Sequence, residues 1–287
     1  MSPPFATASD LNAALARYDA EAARGAVHTG RYRLRYVVWG ESDRPPLVFV
    51  HGLSDRARSF AMVMARLVDA GSRCVGYELP NGLDDGANLG MYKHPHLVAD
   101  LIALLDHLGI DNADLIGSSF GTTVALRALA THPGRFRRGV LKGGFARRPL
   151  RWTERGLARL GRYWPWRLGQ LPGYRQVMAR LEGQGFSHCP PEVFRFLLAC
   201  GGAAPARAVA RRALMLDTLD LRPLLPAVPH PVLMIGGDRD GIVPRWCEEE
   251  VERGLKDVRR VELTPCGRYP QYTLPGATAE AITGFLA

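Results

Sequence analysis

Ser119 stands where a serine can acquire chemistry, at the centre of Gly117-Ser118-Ser119-Phe120-Gly121. Asp114-Leu115-Ile116 just before it reads as the end of a short buried strand, and Thr122 to Ala130 as a helix with an apolar face. A strand that turns straight into a helix forces its middle residue into strained geometry, while Gly117 and Gly121 let neighbouring elements approach with no Cβ in the way. The product is a hydroxyl held above the sheet edge, at the positive end of the following helix. Glycines and serines also make ordinary turns, so the strand–turn–helix context is what gives the pentapeptide its force. Such a serine needs a base to take its proton. Eight histidines are available. His107 and His132 fall at helix ends, as solvated residues do, and His28 and His230 look like loop residues. His188, and His94 or His96 beside a glycine-rich loop, are placed to approach Ser119 from above.

The elements that must position Ser119 follow a β–α rhythm. A helix rich in Ala and Leu is expected from Ser9 or Asp10 to about Ala23, within an N-terminal helical extension over 1–30. Arg31 to Trp39 alternates like a half-exposed strand, and Leu47-Val48-Phe49-Val50 is a continuous apolar run suited to a buried parallel strand. Phe60 to Ala70 reads as a helix, Cys74 to Tyr77 as a strand, Leu79 to Gly90 as a glycine-rich loop and Leu97 to Leu108 as an amphipathic helix. After the Ser119 turn comes a strand over Arg138 to Lys142. The pattern then changes: from 146 to about 225 it is helical and strongly basic, with no buried-strand run. Strands resume at Pro231 to Ile235 and Arg259 to Leu263, and a helix from Ala277 to Leu286 closes the chain. This predicts a mostly parallel α/β sheet, built from 31–145 and 226–287, interrupted by a helical cap over 146–225.

Composition narrows the classes. A chain of 287 residues with 47% apolar and 23% charged residues is ordinary for a folded globular protein. No basic segment followed by an apolar core opens the chain, and no run of about 18 apolar residues suggests a membrane span. Five scattered cysteines without C-x-x-C spacing argue against a disulfide framework and a zinc site, making a reduced, cytoplasmic setting the default expectation. The net charge of +9 suits acidic partners or anionic surfaces, but arginine-rich coding by a high-GC genome explains it more simply. No nucleic-acid-binding module is recognisable, and Gly117 to Thr122 lacks the lysine of a phosphate-binding loop.

Several stretches taken together resemble the α/β-hydrolase superfamily, in its esterase-like branch with a helical cap. They are His51-Gly52 after the third strand, Tyr77-Glu78-Leu79-Pro80 after the fourth, the Ser119 pentapeptide, and Asp220 to Leu225 leading into Gly237-Asp238-Arg239-Asp240-Gly241. The resemblance covers nearly the whole chain from about Arg31. It implies that Ser119 is the nucleophile, that the backbone N–H groups of Phe120 and Leu53 form an oxyanion hole, and that Asp240 is the orienting acid, with Asp238 as the neighbouring alternative, better suited to a turn. His51 takes a structural place in the turn. No metal and no organic cofactor is implied. A serine at the nucleophile position disfavours dehalogenase or epoxide-hydrolase chemistry, for which the family uses an aspartate.

One position departs from the pattern. Family members carry Gly-His shortly before the final helix; here the run is Cys266-Gly267-Arg268-Tyr269-Pro270, with Arg268 in the histidine's place. Arginine has only donors and stays protonated, so it is expected to pair with Asp240 and leave the triad incomplete. Two readings follow: a serine-type hydrolase of carboxylic esters or related acyl bonds, impaired or rescued by another base; and a non-catalytic member that binds a small apolar ligand or a protein partner. Trp152, Trp164 and Trp166 lie among arginines in the insertion. The preferred expectation is that these aromatics pack over a pocket for an apolar or acyl-type ligand, rather than lying on an anionic membrane.

Overall fold

Two strands, β3 (Leu47–Val50) and β4 (Cys74–Tyr77), are buried at every position because both of their faces are covered. The computed structural model describes residues 4–287. With β1 (Ala23–His28), β2 (Arg33–Trp39), β5 (Ala113–Ser118), β6 (Phe136–Lys142), β7 (Val232–Gly237) and β8 (Val258–Leu263) they form one eight-stranded sheet in the order β1-β2-β4-β3-β5-β6-β7-β8. From β4 to β8 all neighbours are parallel; β2 runs antiparallel to β4, and β1 antiparallel to β2.

Helices cover both faces. On one side α1 (Ala8–Glu21), α2 (Ala61–Asp69) and α11 (Pro275–Leu286) pack together with the inward residues Phe49, Ile116 and Ile235. On the other, α3 (His94–His107) and α4 (Phe120–Thr131) bury Leu101, Leu105, Val124 and Leu129 against Val48, Leu115 and Leu141. The short helices α9 (Arg245–Gly254) and α10 (Pro270–Thr273) flank the ends of β7 and β8.

The N-terminal region differs from the helical extension expected over 1–30. Thr7 caps α1 by accepting from the Asp10 N–H, and the helix stops at Glu21. Residues 23–28, including His28, then form an edge strand instead of more helix or loop. The Tyr36 ring of β2 fills the space a side chain at Gly25 would take, its Cζ 2.4 Å from where a Cβ would stand. The helix expected from Leu97 begins earlier, at His94, with Pro95 at its first turn.

Between β6 and β7 lie α5 (Trp152–Gly161), α6 (Tyr174–Glu182), α7 (Pro191–Gly202) and α8 (Ala206–Thr218). Leu150, Ala158 and Ala210 make a small core between α5 and α8, reinforced by Arg155 gripping Asp217 through two bonds of 2.6 and 2.8 Å. Val193, Leu197 and Cys200 of α7 join the core beside α1 and α2.

Candidate active site

Ser119 is the single non-glycine residue with positive φ among the described residues, at φ 52° and ψ −115°. That strained geometry follows from close approach on both sides. A Cβ on Gly121 would stand 2.1 Å from the Val50 carbonyl oxygen, and one on Gly117 2.7 Å from the Gly121 carbonyl oxygen. The Ser119 N–H donates to the Lys142 carbonyl at 2.9 Å, joining the elbow to the end of β6. Phe120 is the first residue of α4, where helix N–H groups lack intrahelical acceptors. Gly52 brings the turn after β3 alongside, since a Cβ there would lie 3.5 Å from the Ser119 Cβ, and Leu53 follows in that turn.

The exits of β7 and β8 press together just as closely. A Cβ on Gly237 would meet the Gly267 carbonyl oxygen at 2.3 Å, and the Arg239 N–H donates to the Cys266 carbonyl at 2.9 Å. Asp238 accepts from the Cys266 N–H at 2.7 Å, a turn-building role. Asp240 is fixed by the N–H groups of Ile242 and Val243 at 2.8 and 3.0 Å. Arg268 then bridges the two remaining groups. Its Nη1 donates to the Asp240 carboxylate at 3.2 and 3.3 Å, and its Nη2 donates to Ser119 Oγ. Side-chain exposure is 9% for Arg268 and 8% for Asp240, so the pair is shielded from water. Burial alone would lower the guanidinium pKa; the Asp240 charge outweighs it, and the group stays fully protonated.

Three groups that sequence reasoning passed over complete the surroundings. Lys142, buried at the end of β6, donates from Nζ to the Arg268 carbonyl at 3.1 Å and lies 5.6 Å from the Tyr269 ring centroid. Burial, with the Arg268 charge adding to it, lowers its pKa to about 8. Glu182, at the end of α6, is buried with Oε1 unpartnered, and burial raises its pKa to about 7 against the opposing pull of Arg268. Arg212 of α8 donates to the carbonyls of Leu53, Pro80 and Leu79 at 2.7, 2.9 and 3.3 Å, tying the insertion to the turns after β3 and β4. None belongs to a sequence motif. The available signal was weak: a lysine at the end of an apolar strand, in a chain whose cations are nearly all arginine.

No histidine takes the base position. His51 is locked neutral, with Nε2 accepting the Leu79 N–H at 3.0 Å and Nδ1 donating to the Gly52 carbonyl at 2.9 Å; burial, aided by Arg212, lowers its pKa to about 3. His94 does not approach from above. It is buried in α3 between Arg127 (2.9 Å) and the Thr123 hydroxyl (2.9 Å), with its pKa lowered by burial to about 3. His96 accepts the Lys93 N–H at the start of α3, and His188 stacks on Phe5 at 4.9 Å. The tryptophans of the insertion are exposed. Trp152 is 82% exposed and Trp166 50%, and Trp164 packs edge-on against Trp166 at 5.0 Å. Surface cavities of about 730, 600 and 410 Å³ occur elsewhere, none lined by Ser119, Asp240 or Arg268. Phe186 packs against Tyr269, the residue after Arg268, and against Tyr272. Among the described residues, no group of three or more His, Cys, Asp or Glu side chains is arranged to hold a metal ion.

Comparison with known proteins agrees with this architecture. Over 210 residues the chain is 28% identical to 3-oxoadipate enol-lactonase 2 of Acinetobacter baylyi, covering 73% of this chain and 76% of that one. A thermophilic esterase from Thermogutta terrifontis superimposes with a TM-score of 0.78 at 24% identity, covering 92% of this chain and 98% of the other. The enol-lactonase from Burkholderia xenovorans gives a TM-score of 0.72 at 23% identity, over 89% and 96%. The Alpha/beta hydrolase family model matches residues 47–281, from the start of β3 into the last helix, so the chain belongs to the alpha/beta hydrolase family.

Proposed function

We propose that this chain is a serine-type hydrolase of carboxylic ester or related acyl bonds whose turnover is held down by Arg268. One observation carries the proposal: the same guanidinium donates both to Ser119 Oγ and to Asp240. Attack on an acyl carbon forms a bond from Ser119 Oγ while the hydroxyl proton leaves to an acceptor. Arg268 has no acceptor atom, so it takes no proton; its donated bond also draws on an Oγ lone pair that attack requires. Deprotonation is left to water or hydroxide. The Phe120 and Leu53 N–H groups would hold the developing oxyanion, and Asp240, which in a complete triad orients the base, here neutralises the arginine. The similarity to an enol-lactonase, whose name denotes a cyclic-ester substrate, supports acyl chemistry over other reactions of the fold.

Loss of a triad base costs on the order of 10⁶ in rate and leaves roughly 10³ over water from the remaining groups. Hydrolysis of short activated aryl esters by native chain, Ser119→Ala and Arg268→His tests this. The expected outcome is weak native activity abolished in Ser119→Ala and raised at least about 10²-fold in Arg268→His. Full native activity independent of Ser119 would overturn it. Activity confined to Arg268→His would favour the binding-only alternative, to which the direct Arg268–Ser119 contact also lends weight.

A further inference from the structure

The insertion exposes an apolar surface that nothing in the fold covers. Eight of the eleven large apolar side chains exposed among the described residues lie between 152 and 181, three of them on α5 alone. On α5, Trp152, Leu157 and Leu160 are 82%, 71% and 71% exposed, while Ala158 turns inward against Ala210. On α6, Val177 and Leu181 stand one helical turn apart on the outer side, and Glu182 turns inward toward Arg268.

The charge around this patch has one sign. From Phe145 to Glu182 the segment carries nine arginines and two acids. Glu154 is held by Arg148 at 2.8 Å and Glu182 is buried, so neither offers free negative charge to a partner. Arg151, Arg159, Arg175 and Arg180 are exposed beside the apolar side chains. Two copies meeting through this face would oppose arginine to arginine, which disfavours self-association. Tryptophan, tyrosine and leucine beside arginines suit the boundary between acyl chains and anionic headgroups. No helix among the described residues is long and apolar enough to cross a membrane, so contact would be with a surface.

We propose that the outer face of α5 docks onto bilayers containing anionic lipid, Trp152, Leu157 and Leu160 entering the interface and the neighbouring arginines meeting phosphate headgroups. This is independent of the chemistry at Ser119. Flotation of the full chain with equimolar phosphatidylcholine–phosphatidylglycerol vesicles tests it, with pure phosphatidylcholine vesicles in parallel. Partitioning should be at least about tenfold stronger to the anionic vesicles and fall by a similar factor between about 0.1 and 0.5 M salt. The double variant Leu157→Glu/Leu160→Glu, altered at exposed positions, should lose about tenfold while keeping the native melting temperature. Absence of binding to anionic vesicles overturns the proposal. So does undiminished binding by the double variant, which would assign the attraction to the overall charge of +9. Equal, Leu157- and Leu160-dependent binding to soluble polyglutamate would assign the face to an acidic protein. A dimer in sedimentation velocity that the double variant dissolves would assign it to a second copy. Either result also overturns the proposal.

Discussion

Arg268 and Asp240 are each buried on the other's account. A guanidinium at this depth is tolerable because Asp240 faces it at 3.2 Å and Ser119 Oγ accepts a second bond. Removing one partner leaves the other as an uncompensated buried charge. Arg268→Leu should therefore cost about 3 kcal/mol in urea denaturation, and Arg268→Leu/Asp240→Asn should recover most of it. Equal costs of Arg268→Leu in both backgrounds would mean the two are not coupled. Ser119, Asp240 and Arg268 were legible because each sits beside a turn with its own sequence mark: Gly-x-Ser-x-Gly, Gly-Asp-x-Asp, and the glycine before Arg268. Lys142, Glu182 and Arg212 were not, because their importance arises from what distant segments fold over them. A lysine at the end of β6 and a glutamate at the end of α6 look alike in sequence whether solvated or buried.

At the level of elements, the backbone holds the site, and the demand falls on a few glycines. The β3 exit, the elbow and α4 approach until no Cβ fits at Gly121, so Gly121→Ala should destabilise the fold by about 3 kcal/mol or more, seen as a lowered melting temperature. Arg212 does related work from a side chain, its three carbonyl contacts fixing α8 over the turns that carry Leu53 and Pro80. The central strands were readable from their continuous apolar runs, since burial on both faces leaves no alternation. Strand β1 was not, because Ala-Arg-Gly-Ala-Val-His carries little strand preference and is held by pairing with β2 alone. The expected packing of the insertion's tryptophans over a pocket rests on amphipathicity, which reveals an apolar face without revealing what meets it. In the folded chain, Ala158 turns toward the α5–α8 core while Trp152, Leu157 and Leu160 face away from it.

Across the whole molecule, two buried groups of opposite sign shape stability with pH. Glu182 has its folded pKa raised to about 7, so above the ordinary value of 4.5 the folded chain keeps a proton that the unfolded chain has released, and stability falls as pH rises toward 7. Lys142 has its pKa lowered from 10.5 to about 8, so between those values the unfolded chain holds the extra proton and stability rises with pH. Each contributes up to about 3 kcal/mol over its own window; below pH 6.5 the buried His51 and His94, with pKa values lowered to about 3, act in the opposite sense to Glu182 and destabilise the fold as pH falls. In thermal melts the difference between native chain and Glu182→Gln should vary with pH between about 4.5 and 7, and that between native chain and Lys142→Met between about 8 and 10.5; constant differences would refute the assignment. The arrangement around Ser119 also bears on ancestry and reversibility. Glycine contacts, the Ile242 and Val243 amides and the Lys142 ammonium fix the elbow, Asp240 and the Arg268 backbone without calling on the side chain at 268. Some arginine codons become histidine codons by one base change. Where Arg268 is encoded by one of these, a single base change would place a histidine between Ser119 and Asp240, with the frame that would receive it already in place.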